Sequence, residues 1–330
     1  MWYFWVRKLL FLLPTEVAHH WVLLALRYFP SQAFPKISIH SSPIQVMGLN
    51  FAHPIGLAAG LDKNAEYIDG LAKLGFSFIE VGTVTPKAQA GNPKPRLFRI
   101  PQAQALINRM GFNNLGVHAL VDNIRKSQYR GILGINIGKN KDTPLAHAAD
   151  DYEYCMEVVY ASASYITVNI SSPNTPDLRA LQQGNFFEQL IDRLTNKRRL
   201  LTASHDKHVP LAIKISPDES EETLQHMVEI LVRYQVEAMI ATNTTTQRDE
   251  DIMGLTHGDE LGGLSGSPLR EKSLQCLRFL KMVAGDRLTL IASGGIDSPQ
   301  AIQERLAAGA SLVQVYSGLI YQGPAILRVL

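Results

Sequence analysis

Tyr165-Ile166-Thr167-Val168-Asn169-Ile170-Ser171 is apolar or β-branched along most of its length and turns polar only at its end. A strand with one solvated face alternates, whereas a continuous run of this kind fits a parallel strand covered on both faces. The pattern recurs on either side. Ile55–Gly60, Phe78–Thr85 and Gly131–Gly138 precede it, and Leu211–Ser216, Ala238–Thr244, Leu288–Gly294 and Leu312–Ser317 follow, eight runs in all. Between them lie amphipathic stretches of helical length such as Asp218–Tyr234 and Ser298–Ala308. Strand, helix, strand repeated in this way predicts an α/β fold, a (β/α)8 TIM barrel over residues 44–330. A doubly wound open sheet is the alternative, because a strand count alone does not prove closure. The 330 residues, 46% of them hydrophobic, suffice for one barrel and a small extension.

That extension is residues 1–30, where Arg7, Lys8 and Arg27 face one acid, Glu16, amid Trp, Phe, Leu and Tyr. A secretory signal needs a longer apolar run than Leu9–Leu13 before Pro14, and a small-residue cleavage site. A spanning helix needs roughly 20 apolar residues. Two short amphipathic helices are therefore expected, parted at Pro14, with Thr15 as N-cap and Glu16 in the first turn of the second. Their aromatic and basic surplus suits a membrane interface; packing on the chain's own domain is the alternative. Residues 31–43 read as a Pro/Ser-rich connector. Ile44–Val46 and Leu49–Phe51 then flank Met47-Gly48 like a hairpin that could floor the barrel.

The net charge is +2 and the longest basic run is Lys197-Arg198-Arg199, read as a solvated helix face, so nucleic acid is not implied as a partner. Cys155 and Cys276 are far apart and outside metal-ligand spacing, so no disulfide framework and no metal site is expected.

Polar residues and glycines gather where the apolar runs end, and in a barrel those ends share one face. Ser293-Gly294-Gly295-Ile296 and Tyr316-Ser317-Gly318 end the last two runs, where backbone amides often hold a phosphate, and Leu261–Gly266 could add further amides. A glycine pair alone is usually just a turn. Lys63 and Lys214 each follow an apolar run, so each must meet an anion, a cofactor or water; an electron-rich flavin edge would suit them, as would a structural ion pair, or a Schiff base at Lys214. Asn108, Asn136, Asn169, Asn174 and Asn243 donate and accept at once, which suits a planar ring of alternating C=O and N–H such as a pyrimidine. Any one of them could equally be a turn residue. Ser172 has no Gly-x-Ser-x-Gly elbow and no histidine close by in sequence, so a hydrolase triad is not indicated.

Gly60-Leu61-Asp62-Lys63-Asn64, Glu80-Val81-Gly82-Thr83-Val84-Thr85-Pro86, Pro95-Arg96-Leu97-Phe98-Arg99, Asn108–Asn114, Val168–Thr175, Gly262–Gly266 and Ser293–Ile296 follow one another along the chain. From about Ile44 to Gly323 this series closely resembles the class 2 dihydroorotate dehydrogenases, the quinone-dependent, membrane-associated class. The resemblance implies FMN held by Ala59, Gly60, Leu61, Asp62, Lys63, Thr83, Asn136, Asn169, Lys214 and Thr242, with Gly266, Gly295, Tyr316 and Ser317 around its phosphate. It implies dihydroorotate bound by Lys63, Asn108, Arg109, Met110, Gly111, Phe112, Asn169, Asn174, Asn243 and Thr244. Ser172 stands at the family's catalytic base; the soluble class 1 members carry cysteine there.

The implied reaction takes a proton from C5 of dihydroorotate to Ser172 and a hydride from C6 to flavin N5, giving orotate for UMP synthesis, after which a membrane quinone reoxidises the flavin. A free serine is a poor base, so the pocket must assist, for instance through Thr175. His19 and Arg99 match the quinone tunnel between the N-terminal helices. A peripheral membrane protein is thus expected, with no Arg/Ser-rich transit peptide and hence on the cytoplasmic face of a bacterial inner membrane. The chain stops at Leu330, a few residues into the family's last helix, so a short C-terminal piece is expected to be missing. Two other readings compete: a barrel aldolase or isomerase using Lys214 as its amine, which would be colourless, and a non-catalytic membrane-bound sensor of flavin or pyrimidines.

Overall fold

The structure, a computed structural model, describes residues 2–29 and 42–327; most of the expected connector lies outside the described residues. It opens with helices α1 (Trp2–Phe11) and α2 (Thr15–Tyr28). Thr15 begins α2 but does not cap it. Pro14 occupies the cap position in an extended conformation, and no side-chain cap bond forms. Strands β1 (Ile44–Val46) and β2 (Leu49–Phe51) pair antiparallel about Met47 and Gly48, both at positive φ, as a tight two-residue hairpin requires.

Then follow β3 (Ile55–Leu57), α3 (Ile68–Ala72), β4 (Phe78–Val84), β5 (Leu97–Ile100), β6 (Ala105–Asn108), α4 (Val117–Lys126), β7 (Ile132–Ile137), α5 (Ala148–Val159) and β8 (Tyr165–Asn169). The second half runs α6 (Gly184–His205), β9 (Leu211–Lys214), α7 (Glu221–Arg233), β10 (Ala238–Ala241), α8 (Glu250–Met253), β11 (Gly263–Gly266), α9 (Arg270–Ala284), β12 (Thr289–Ser293), α10 (Pro299–Ala307), β13 (Leu312–Val315) and α11 (Ser317–Gln322). The strands β3, β4, β7, β8, β9, β10, β12 and β13 pair in parallel, and β13 returns to β3, so the sheet is a closed barrel. Closure excludes the open-sheet alternative.

All seven residues of β4 and all five of β8 are buried, as continuous apolar runs between two packed layers should be. The two helices foreseen between strands begin where short polar side chains can cap them. Ser220 accepts from Thr223 N ahead of α7, and Ser298, followed by Pro299, accepts from Ala301 N ahead of α10. Phe51 of the hairpin enters a lower apolar layer with Phe78, Tyr165 and Ile240, so the hairpin does floor the barrel.

Two features differ from expectation. Gly263–Gly266 forms β11 of a separate antiparallel sheet, β5-β6-β11, with Gly263 opposite Asn108. The basic run on α6 is not wholly solvated either: Arg198 is buried and pairs with Glu237 at 2.6 Å, because that position of the helix faces the barrel wall.

The N-terminal helices pack on the barrel and also present a free face. Leu23 and Leu26 join the main core, and a Cβ on Gly70 would stand 2.8 Å from the Leu26 carbonyl carbon, so only glycine lets α2 lie this close. Tyr3 and Arg7 donate to the carbonyls of Ile320 and Tyr321. On the other side Trp5, Leu9, Leu12 and Trp21 are exposed. Among the described residues no helix is long and apolar enough to cross a membrane.

Candidate active site

A cavity of about 540 Å³ lies over the carboxyl ends of the barrel strands and extends to α2. Its wall takes Lys63 from the turn after β3, Thr83 from β4, Asn169 from the end of β8, Ser172 just beyond, and Lys214 as the last residue of β9. Thr242, Asn243 and Thr244 follow β10, Gly294 and Gly295 follow β12, and Tyr316 and Ser317 follow β13. The antiparallel sheet and the turn after it lean over the mouth with Asn108, Met110, Gly111, Phe112, Ser265 and Gly266; Asn174 and His19 complete the rim.

Asn136, Asn169 and Asn243 form one connected set with Thr83. Asn169 Nδ2 donates to Thr83 Oγ1 at 2.9 Å, and Thr83 Oγ1 donates to Asn136 Oδ1 at 2.6 Å. Asn243 Nδ2 donates to Asn169 Oδ1 and to Ser171 Oγ, at 3.3 and 3.0 Å. Across the cavity Asn174 Nδ2 donates to the Asn108 carbonyl at 3.0 Å. Ser172 Oγ accepts the Asn174 backbone N–H at 3.3 Å. In the same loop, Thr175 Oγ1 is buried and, among the described residues, without a hydrogen-bond partner.

Lys214 is buried and makes no hydrogen bond or salt bridge among the described residues; burial pulls its ammonium below the ordinary lysine range, and the Glu80 charge opposes this. Lys63 is likewise without a hydrogen bond or salt bridge. Burial and then the Arg96 charge lower it to about 8, against the pull of Glu16 and Asp62. Burial also pushes Asp62 up to about 6, although its carboxylate accepts the backbone N–H groups of Tyr67 and Glu66 and so braces the turn that carries Lys63. His19 falls to about 4, first through burial and then through Lys63, so it is neutral at ordinary pH.

Three expected site residues stand off the wall. Asn136 is fully buried beneath Thr83 and reaches the cavity only through it. Arg109 pairs with Glu260 at 2.7 Å and lies over the Phe98 ring. Arg99 donates to the carbonyls of Leu10 and Leu13 and covers Phe11, which ties it to the helical hairpin. Conversely, Gln314 lines the cavity and was not foreseen, while Ser265 lines it from the Leu261–Gly266 segment. Gln314 sits inside a strand run, where nothing in the local pattern marks it as facing a site.

Residues 42–330 match the family described as Dihydroorotate dehydrogenase. A protein of Legionella pneumophila strain Corby named "Dihydroorotate dehydrogenase (quinone)" is 57% identical over 323 residues, covering 98% of this chain and 96% of its own length. A protein of the same name from Ectopseudomonas mendocina strain ymp is 57% identical over 288 residues, 87% of this chain and 84% of its own. Among solved structures, the DHODH of Eimeria tenella in complex with ferulenol superposes with a TM-score of 0.86 at 35% identity, over 95% of this chain and 89% of that one.

Proposed function

The chain belongs to the dihydroorotate dehydrogenase family, and we propose that its cavity holds FMN and dihydroorotate together, with Ser172 as the base. The reaction is oxidation of dihydroorotate to orotate with a quinone as electron acceptor, a step of pyrimidine biosynthesis. The observation that carries the site assignment is that two lysine ammonium groups, Lys63 and Lys214, which make no hydrogen bond or salt bridge among the described residues, share one cavity with a set of neutral amides. Lys214 is buried and Lys63 half-buried, and a desolvated cation is costly without a counter-charge, so the pair fits a ligand set with negative charge, while the amides fit an N–H/C=O ring.

Bound there, FMN would supply the hydride acceptor and the route for electrons onward to the quinone. Lys214 would oppose negative charge on the flavin edge. Thr83, Asn169 and Thr242 would fix the ring system. The backbone at Gly294 and Gly295, at φ +103° and +63°, turns amides in a way other residues rarely allow; a Cβ on Gly295 would also lie 2.2 Å from Arg270 Cα. These amides and Ser317 suit the phosphate.

Lys63, Asn108, Asn174 and Asn243 would grip the carboxylate and ring of dihydroorotate, with Met110, Gly111 and Phe112 closing over it. Arg109 would act from behind, holding this turn through Glu260 and Phe98. Ser172 would take the C5 proton. Its oxygen already accepts the Asn174 N–H, which favours charge on that oxygen.

The quinone would enter along α2 past neutral His19, under the hairpin that Arg99 ties down. The exposed aromatic and basic face of α1 and α2 supports docking on a membrane surface, and the bacterial relatives favour the cytoplasmic face of an inner membrane. The purified protein tests this directly. It should be yellow, release FMN on denaturation, and turn over dihydroorotate with a quinone; a colourless protein without extractable flavin sinks the FMN assignment.

A further inference from the structure

Glu80 lies in the middle of β4, 1% exposed, between the lower apolar layer and the cavity. A carboxylate in such a place has to be satisfied by donors. Oε1 accepts from Asn136 Nδ2 at 2.8 Å, and Oε2 accepts from Tyr165 Oη at 2.9 Å, Thr167 Oγ1 at 3.0 Å and Gln314 Nε2 at 2.6 Å.

Two of these four partners are primary amides, and an amide is nearly symmetric in shape but not in polarity. A carboxylate only accepts, so both amides must turn their NH2 groups toward it. Asn136 therefore offers Oδ1 upward, where Thr83 Oγ1 donates to it at 2.6 Å. Having given its proton there, the Thr83 hydroxyl can only accept, and Asn169 Nδ2 donates to it at 2.9 Å. Asn169 is left with Oδ1 turned to Asn243 Nδ2 and Ser171 Oγ, at 3.3 and 3.2 Å. Asn243 Oδ1 in turn accepts the Thr244 N–H at 2.9 Å. On the other branch, Gln314 borders the cavity with Oε1 buried and, among the described residues, without a hydrogen-bond partner.

We propose that Glu80 is a positioning residue that sets the hydrogen-bond polarity of the cavity: it orients Asn136 and Gln314 directly and, through Thr83, orients Asn169 and Asn243. It touches neither substrate nor cofactor. It selects, among the orientations these amides could adopt, the one whose donors and acceptors match a ring of alternating N–H and C=O. The inference rests on the proposed pyrimidine site and deepens it. Lys214 gains from the same arrangement, because Glu80 is the charge that opposes its desolvation.

The test is a mutant cycle on the full-length, FMN-loaded protein, reading orotate affinity from the change in flavin absorbance on binding, with FMN content as control. Glu80→Gln puts a donor among donors and should weaken orotate about ten- to a hundredfold, since buried polar groups are then left unpaired. Thr83→Val cuts the same chain at its second link and should cost a similar factor. The double variant should be no weaker than the worse single one, because residues acting through one chain do not add. Unchanged affinity in Glu80→Gln, or a double variant whose loss is the product of the two singles, overturns the proposal. Should Glu80→Gln not fold, Asn136→Leu with Thr83→Val completes the cycle under the same criteria. Failure of the unmutated protein to bind orotate would instead overturn the site assignment, so the two ideas fall separately.

Discussion

Glu16 on α2 and Arg96, just ahead of β5, form an ion pair in which Glu16 Oε1 accepts from Nε at 3.1 Å and lies 3.0 Å from a terminal guanidinium nitrogen. Arg96 is buried and also donates to the carbonyls of Ala90 and Asn92, so it cannot follow the helix if the helix moves. The pair fixes the helical hairpin against the cavity rim, between His19 and Lys63. Glu16→Gln keeps one acceptor but leaves the guanidinium without its charge partner, a loss of about 1–2 kcal/mol. The expected result is slower flavin reoxidation by a long-chain quinone, with flavin reduction by dihydroorotate within about twofold of normal. Stopped-flow traces of the two half-reactions check this; equal slowing of both would mean that the pair supports the whole site.

In the proposed site, Ser172→Ala should retain the flavin and bind orotate, because Ser172 supplies neither the cations nor the amides. Removing a general base costs about 10²–10⁴-fold. The rate of flavin reduction by dihydroorotate at neutral pH should fall by that factor, and a near-normal rate would remove Ser172 from the proposed role.

Lys63 makes a pH prediction with a definite sign. Its ligand-free value near 8 means that it loses its proton above that pH, while a bound carboxylate favours the charged form and raises the value. Binding above about pH 8 must therefore take up a proton. Orotate affinity should weaken about tenfold per unit as pH rises beyond 8. In Lys63→Met the affinity should be lower throughout and lose this slope. Glu16→Gln should move the bend to lower pH, because Glu16 is one of the charges that holds Lys63 up. Titrations at a series of pH values read both effects.

The barrel was legible because each strand is marked by its own residues: β4 and β8 are continuous apolar runs, and their polar ends announce one shared face. The β5-β6-β11 sheet was not, since Leu106 pairs with Ser265 across a long intervening chain and only tertiary packing brings them together. The amide ring was visible as a recurrence of asparagine at strand ends. What no local pattern could show is polarity. Glu80 and Gln314 each sit within an apolar run, and their meaning appears only when Asn136, Tyr165 and Thr167 from neighbouring strands converge on one carboxylate. Arg109 and Arg99 illustrate the reverse case, where a residue in a site motif spends its guanidinium on supporting structure.

The N-terminal hairpin carries the last prediction, and the structure dictates how it has to be tested. Deleting the whole segment would also remove Leu23 and Leu26 from the main core, each worth about 2 kcal/mol of burial, so loss of function would be ambiguous. The outward face can be changed alone. Trp5, Leu9, Leu12 and Trp21 are 64%, 68%, 81% and 60% exposed, and Lys8 lies over the Phe4 and Trp5 rings, where its charge can reach anionic headgroups. Replacing these four by serine should leave the melting temperature and the dihydroorotate half-reaction unaltered, because little packing is lost. Each side chain inserted into a lipid interface contributes about 1 kcal/mol or more, so together they account for at least a few hundredfold in membrane partitioning. The quadruple variant should stop co-sedimenting with anionic lipid vesicles, and its reoxidation by vesicle-borne quinone should slow by at least about tenfold, while a small water-soluble oxidant still works. Undiminished vesicle binding would show that this face is not the membrane dock.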